Sequence, residues 1–181
     1  MPMQPSLYWG KRFDAMLKMI DSLACIDFRQ LMDVYAEGNL INGKACYPEQ
    51  SENLQIIYAE QDFYFYLQEF FAEPTAQYAV WVHEEHYVAA LRIERYNDGL
   101  ILTALETAPE ARRKGFASKL IFSVVDYLHF EGSGKLYSHV SKHNVASLAV
   151  HLSCGFHVVS DNAVYLDGTV KEDSITLCIN Y

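Results

Sequence analysis

Three consecutive cations and a glycine, Arg112, Arg113, Lys114 and Gly115, stand between two patterned segments. Before them runs an extended apolar stretch, Leu100 to Thr107, which ends at Ala108-Pro109. After them Ala117, Leu120, Ile121, Val124, Val125 and Leu128 fall at spacings of three and four, which predicts a helix from about Gly115 to Phe130. A strand, a tight basic turn and a helix start together make an anion site. The first N–H groups of a helix have no intrahelical partner, and the helix dipole favours negative charge there. Gly115 lets the backbone come close to a ligand, and Ala117 stays small for the same reason. The chemistry this pattern suits is the holding of a phosphate.

A second segment follows in chain order: Asn144-Val-Ala-Ser147-Leu-Ala-Val-His151-Leu-Ser-Cys-Gly155-Phe156. With Arg112-x-x-Gly115-x-Ala117 it resembles the GCN5-related N-acetyltransferase (GNAT) family. That family carries Arg/Gln-x-x-Gly-x-Gly/Ala at its acyl-CoA pyrophosphate loop. Later, an Asn opens a helix, a small residue follows three on, a Tyr usually sits seven on, and Gly-Phe closes the motif. The resemblance covers roughly residues 86 to 160 and implies an α/β fold. In it, helices flank a mixed, mostly antiparallel central sheet, splayed between two central strands to admit the pantetheine arm.

The resemblance implies acetyl-CoA as co-substrate and transfer of acetyl to a primary amine, by direct attack in a ternary complex. The acceptor is a small molecule or peptide that the sequence does not identify. The backbone of Leu105 and Thr107 is expected to pair with the pantetheine, and the amides of Arg113, Lys114, Gly115, Phe116, Ala117 and Ser118 to cradle the pyrophosphate beside Arg112. Asn144 is expected to cap its helix and touch the cofactor, with Ser147 small for close approach. Glu106 lies in the same loop strand. Alternation along the strand turns it to the other face if Leu105 and Thr107 face the cofactor, unless a bulge re-aims it.

Transfer to an amine needs a positioned thioester, an acceptor stripped of its proton, and help for the leaving thiolate. His139, five residues before Asn144, is the expected general base. The corresponding position in protein N-terminal acetyltransferases of the family carries His or Glu, and an imidazole is mostly neutral at pH 7. Ile101 and Thr103, expected to face the acceptor, offer no base. His151 stands where the family usually has Tyr and is the expected acid toward the thiolate. A non-catalytic acyl-CoA-binding or sensor module of the same fold is the alternative, and the missing Tyr is its support.

The rest of the chain must position these groups. Its 181 residues are half apolar, enough for one domain with a full core spanning 1–181. A formal charge of −9 argues against nucleic acid or an anionic membrane as partner. No apolar stretch is long enough to cross a bilayer, and the N-terminus has no basic or apolar leader region. Cys25, Cys46, Cys154 and Cys178 lack metal spacing and read as reduced thiols, so a cytoplasmic protein without a metal is expected. A homodimer is left open.

Ser6 to Trp9 read as a short strand. Phe13, Met16, Leu17, Ile20 and Leu23 read as one stripe of a helix, and Asp27 as the cap of another carrying Phe28, Leu31, Met32 and Tyr35. The segment from Gly38 to Gln50, rich in Gly and Asn, reads as a loop. A long helix follows from Asn53 to Ala72, stopped by Pro74, with aromatics around so much of it that some must line a pocket or an interface. From Gln77 the period becomes two, giving strands at Tyr78–Val82, Tyr87–Tyr96 and Leu100–Thr107 with turns at His83–His86 and Asn97-Asp98-Gly99. Further strands are expected at Leu136–Val140, Phe156–Val159, Ala163–Leu166 and Ser174–Ile179, and a helix at Asn144–Ser153.

Several patterns fail as chemistry. Gly132-Ser-Gly-Lys135 lacks the earlier glycine and the hydroxyl residue of a Walker loop. His83-Glu-Glu-His86 has its histidines too close for one helix face, and His151-x-x-Cys154 has no matching second pair. Ser153, His157 and Asp161 form no nucleophile elbow.

Overall fold

A computed structural model describes residues 15–181. The chain opens with strand β1 (Ala15–Ile20) and a short 3-10 turn, then helices α1 (Phe28–Val34), α2 (Ala36–Cys46) and α3 (Glu52–Phe70). The strands β2 (Gln77–His83), β3 (His86–Tyr96) and β4 (Gly99–Thr107) follow as a meander. Next come α4 (Phe116–Glu131), β5 (Lys135–Ser141), α5 (Val145–Ser153) and β6 (His157–Ser160). A small hairpin of β7 (Ala163–Val164) and β8 (Val170–Lys171) precedes β9 (Ser174–Asn180).

Seven strands form one sheet in the order β1-β2-β3-β4-β5-β9-β6, and β7-β8 pair separately. Every pair in the large sheet is antiparallel except β4 with β5. The crossover through α4 allows that pair to be parallel, since parallel neighbours cannot be joined by a tight hairpin. The register aligns Tyr78, Arg92 and Thr103 across β2, β3 and β4. Leu102 lies opposite Ser138, so the next residues along, Thr103 and His139, share the other face. His151 of α5 bonds Ser138 from one side, while Tyr66 of α3 stacks on Arg92 from the opposite side. The sheet therefore separates an α4–α5 face from a face covered by the N-terminal helices. Tyr78, Leu91, Leu102, Leu120, Ile121 and Leu177 are among the fully buried side chains between these layers.

Two expectations are corrected. Met16, Leu17 and Ile20 lie on a strand, β1, rather than on a helix stripe; Phe13 and the expected strand from Ser6 to Trp9 fall outside the described residues. The six-residue pairing of Ala15–Ile20 along β2 overrides a spacing that also fits a helix turn. The expected loop from Gly38 to Gln50 is mostly helix, α2. Its glycine is a packing device: a Cβ on Gly43 would run into the Gln55 carbonyl of α3. The two helices close so tightly only because that side chain is missing. Gln55 then satisfies the end of α2 from α3, its Nε2 donating to the carbonyls of Tyr47 (3.1 Å) and Gln50 (3.0 Å).

The other elements follow the sequence reading within a few residues. Asp27 caps α1, its carboxylate accepting from the Gln30 N–H at 3.1 Å. The aromatics of α3 divide as expected of so crowded a helix. Phe70 is buried, Phe63 and Tyr66 line a small cavity against α2, and Tyr64 and Phe65 are exposed.

Candidate active site

β4 and β5 are paired only from Leu100 to Leu102 against Leu136 to Ser138, and beyond that they part. The gap holds a cavity of about 170 Å³ lined by Thr103, Leu105, Ser138, His139, Asn144 and His151, among others. A bulge widens it. Arg92 faces Thr103 and Ala90 faces Glu106, so Ala104 and Leu105 together stand opposite Leu91, with Ala104 at φ +49°. The bulge also flips the strand's parity, placing Glu106 in the row of Ala90, on the same face as Thr103 and Arg92. Simple alternation fails at Glu106 for this reason. The Tyr35 hydroxyl donates to the Ala104 carbonyl at 2.7 Å and fixes the distorted backbone.

On the α4–α5 side the gap opens into a cavity of about 630 Å³. It is lined by Leu105, Glu106, Thr107, Arg112, Arg113, Gly115, Phe116, Ala117, Ser118, Asn144 and Ser147, with Ala146 and Val150. All the expected cofactor residues meet here except Lys114, which is exposed beside it. Gly115 sits at the start of α4 with φ +79°, a conformation that suits glycine. A Cβ there would meet nothing within 4 Å, so the approach to the helix start is open. No acidic side chain occupies the first turn of α4. The Phe116 side chain turns into the core against His83, with ring centroids 4.9 Å apart, and leaves only its amide for a ligand. Arg112 is engaged: it pairs with Glu37 at 2.7 Å and Glu106 at 3.8 Å, and its Nε donates to the Thr107 carbonyl. Burial raises the Glu106 carboxyl above its ordinary range, with Arg112 opposing the rise. Asn144 caps α5 by accepting from the Ser147 N–H at 3.0 Å. These features suit a phosphate-bearing ligand held by backbone amides.

On the other face the gap meets a cavity of about 510 Å³ lined by Arg92, Glu94, Tyr96, Ile101, Thr103, His139 and the β7–β8 hairpin residues Tyr165, Leu166 and Asp167. His139 is held by its neighbours on β9. The Thr176 hydroxyl donates to the Asn162 carbonyl at 2.8 Å, so its oxygen accepts from His139 Nδ1–H at 3.1 Å. That network assigns the proton to Nδ1 and leaves Nε2 with its lone pair. Nε2 is buried without a hydrogen-bond partner. Tyr96 and Tyr165 pack on the ring at centroid distances of 5.2 and 5.1 Å. Burial pushes the imidazole below its ordinary pKa, and the Val164 carbonyl beside it offsets part of the shift. A neutral ring that lines the cavity and keeps one nitrogen without a partner is equipped to take a proton.

His151 has the opposite surroundings. It is 1% exposed. Nδ1 lies 2.8 Å from the Ser147 carbonyl, which can only accept, so Nδ1 carries the proton. Nε2 then accepts from the Ser138 hydroxyl at 3.0 Å. Burial lowers this pKa too, with the Ser147 carbonyl in opposition. Both nitrogens are spent on the protein.

Arg92, Glu94 and the hairpin at Tyr165 are the functional candidates that sequence reasoning passed over. Arg92 and Glu94, two residues apart after the apolar run Tyr87 to Leu91, were the available signal for the first two. Nothing local marks the hairpin, which reads as an ordinary Asp-Gly turn. Among the described residues no helix is long and apolar enough to cross a membrane.

Comparison with known proteins assigns this fold to a family. The acetyltransferase (GNAT) family model matches residues 44–156, more than half of the chain, and the chain belongs to that family. No curated protein matches it in sequence. Among solved structures it is similar to the PaiA N-acetyltransferase from Thermoplasma acidophilum in complex with coenzyme A, at TM-score 0.60 and 13% identity. That alignment covers 92% of this chain and 99% of the other. An acetyltransferase from Streptococcus agalactiae aligns at TM-score 0.61 and 16% identity over 92% and 98% of the two chains. A variant of spermidine N-acetyltransferase from Vibrio cholerae aligns at TM-score 0.62 and 16% identity over 92% and 94%. At these identities the likeness concerns the fold.

Proposed function

We propose that the protein transfers acetyl from acetyl-CoA to a primary amine of a small molecule or peptide, by direct attack while both are bound. The observation that carries this is the parting of β4 and β5, where three neighbouring cavities on the two faces share lining residues. An open helix start built for phosphate lies on one face, and an unpartnered imidazole nitrogen lies on the other. The amides from Arg113 to Ser118 and the exposed side chains of Arg113 and Lys114 would hold the diphosphate. The edge of β4 at Leu105 to Thr107, with Asn144 and Ser147, would guide the arm into the gap. Acetyl-CoA supplies the activated thioester; the protein supplies placement and proton handling.

An amine arrives mostly as an ammonium and must lose a proton before it can attack. His139 Nε2 takes that proton, directly or through a water, and Nδ1–H stays on Thr176. Glu106, turned to the same face by the bulge, is the next candidate. On the leaving side His151 acts as an acid only as an imidazolium, a form that burial opposes. With the Ser138 proton spent on His151, the Ser147 hydroxyl at the gap is the donor left for the leaving sulfur. A comparable thiol has a pKa of about 8.5, so departure without full proton transfer is feasible near neutral pH.

The test is thiol release on mixing acetyl-CoA with a panel of primary amines, with the acetylated product identified by mass. Release that depends on the amine supports the reading. Tight binding of acetyl-CoA with no release for any amine would leave a binding or sensor module in its place.

A further inference from the structure

Arg92 lies in the middle of the sheet, one strand away from Thr103 and two from His139, in the same row and on the same face. Its guanidinium stacks on Tyr66 of α3, 4.6 Å from the ring centroid. Among the described residues it forms no ion pair, and its Nε is buried without a hydrogen-bond partner. Burial opposes its charge and Glu94 on the same strand favours it, and a guanidinium keeps its proton in either case. Glu94, two residues along on its own strand, accepts from the Thr103 hydroxyl at 3.1 Å through Oε1 and forms no ion pair with Arg92. Cations removed from water are ordinarily paired. This one instead lines the cavity that holds His139.

The charges around that cavity are balanced: Arg92 and Arg95 against Glu94 and Asp167. A polycation would meet two arginines there, and a dianion two carboxylates. A zwitterion meets a partner for each of its ends. Two strand spacings set a lower bound of about 10 Å between the Arg92 and His139 backbones, which the parting of β4 and β5 widens. Both residues line the same cavity of about 510 Å³, a space suited to a compact ligand.

We propose that the acceptor is a free amino acid, or a similarly short amine carrying a carboxylate. Its carboxylate is forked by Arg92, its ammonium is received by Glu94, and its nitrogen is presented to His139 Nε2. The guanidinium fork matches a carboxylate in a way that a lysine could not. This assignment rests on the acetyl-transfer reading of the same site and adds the chemical class of the acceptor.

The experiment measures thiol release with the common amino acids, each beside its primary amide and its decarboxylated amine. Binding of the same compounds to protein saturated with coenzyme A is measured by calorimetry, which needs no turnover. At least one amino acid is expected to exceed its amide by about 10- to 100-fold in kcat/KM and in affinity, the range for a hydrogen bond to a charged group. Arg92→Met keeps an apolar stem over Tyr66 and removes the fork; it should collapse that ratio toward one, mainly through KM. Arg92→Lys keeps the charge without the fork, should give an intermediate ratio, and carries the test if the Met variant does not fold. Amides or amines used as well as their acids, or an acid preference that survives in a folded Arg92 variant, would overturn the assignment. Amine-dependent release without an acid preference removes this proposal alone. Binding of an amino acid through Arg92 without release removes the transfer reading and keeps the Arg92 site. Neither release nor binding of any amino acid removes both.

Discussion

The two mouths of the gap between β4 and β5 are built from different materials. The cofactor-side mouth is made of backbone and small side chains contributed by one continuous strand-turn-helix, Leu105 to Ser118, and the start of α5. The acceptor-side mouth is made of long polar and aromatic side chains from β3, β4, β5 and the β7–β8 hairpin. In the proposed function the first would hold its ligand with N–H groups that any sequence carries, so a few residues with the right freedom and size suffice. The second would recognise its ligand by side-chain chemistry, which only the assembled sheet brings together. The two histidines show the same contrast. His151, toward the cofactor, has both nitrogens bonded to the protein, whereas His139, toward the acceptor, keeps one free.

The largest effect should come from closing the backbone mouth. Gly115→Glu puts a carboxylate and a strained left-handed residue at the start of α4. Losing even two charge-assisted hydrogen bonds to a diphosphate costs about 3–6 kcal/mol, roughly a 10²- to 10⁴-fold drop in acetyl-CoA affinity. Arg112→Ala should weaken binding less, because that side chain is already paired with Glu37 and Glu106. Calorimetry that finds unchanged affinity in the folded Gly115 variant would remove the cofactor from this mouth.

His139→Gln should leave acetyl-CoA affinity nearly unchanged and lower kcat/KM by roughly 10²- to 10⁴-fold, the range for losing a general base. The deficit should shrink as pH rises, since more acceptor amine is then neutral without help. Because burial lowers the His139 pKa, an acidic limb set by this residue should fall below the ordinary histidine range. An unchanged rate and profile would pass the role to Glu106 or to water.

Thr176→Val tests the tautomer. Without the hydroxyl, Nδ1–H loses its acceptor and the proton is no longer fixed away from the cavity. A drop of about tenfold in kcat/KM is expected, the equivalent of one hydrogen bond near 1.4 kcal/mol. A variant that turns over like the parent would show that Nε2 is free for another reason.

His151 should behave as the converse of His139. His151→Phe leaves Ser138, 2% exposed, without its acceptor, at a cost of about 1–3 kcal/mol in stability. If the imidazole also assists the thiolate, turnover falls more than acetyl-CoA affinity, and His151→Tyr retains appreciable activity. Equal turnover in His151→Phe and the parent would make the residue structural.

The smallest effect is on stability against pH. Both histidines titrate lower in the folded chain than in the unfolded one. Below about pH 6.5 the unfolded chain therefore binds more protons, and stability falls as pH drops toward the folded values. Denaturant midpoints between pH 7 and pH 5 should show this slope, reduced in His151→Phe. A flat profile would mean that neither ring is held neutral by the fold.

What could be read in advance follows from how local each feature is. The strand, turn and helix of the cofactor mouth rest on contiguous residues, so the periodicity, Gly115 and the Asn144 cap were legible together. The aromatic load of α3 and the meander of β2 to β4 were legible for the same reason. The helix expected around Met16 and the loop expected at Gly38 failed where a remote partner decides. β2 draws Ala15–Ile20 into the sheet, and the Gln55 carbonyl explains a glycine that looked like a loop signal.

The sequence by itself determined a helix start behind three cations and a glycine, a second motif in the family's order, and two histidines near them. It also determined that alternation would govern Glu106 unless a bulge intervened. Only the tertiary structure decided that the bulge at Ala104 exists and turns Glu106 around. It also decided which imidazole nitrogen is free, since that depends on Thr176, Asn162 and Ser138 arriving from other strands and a loop. Periodicity records which face a residue takes. A tautomer, a bulge and an unpaired guanidinium depend on what stands across from them, and that is set when the strands meet.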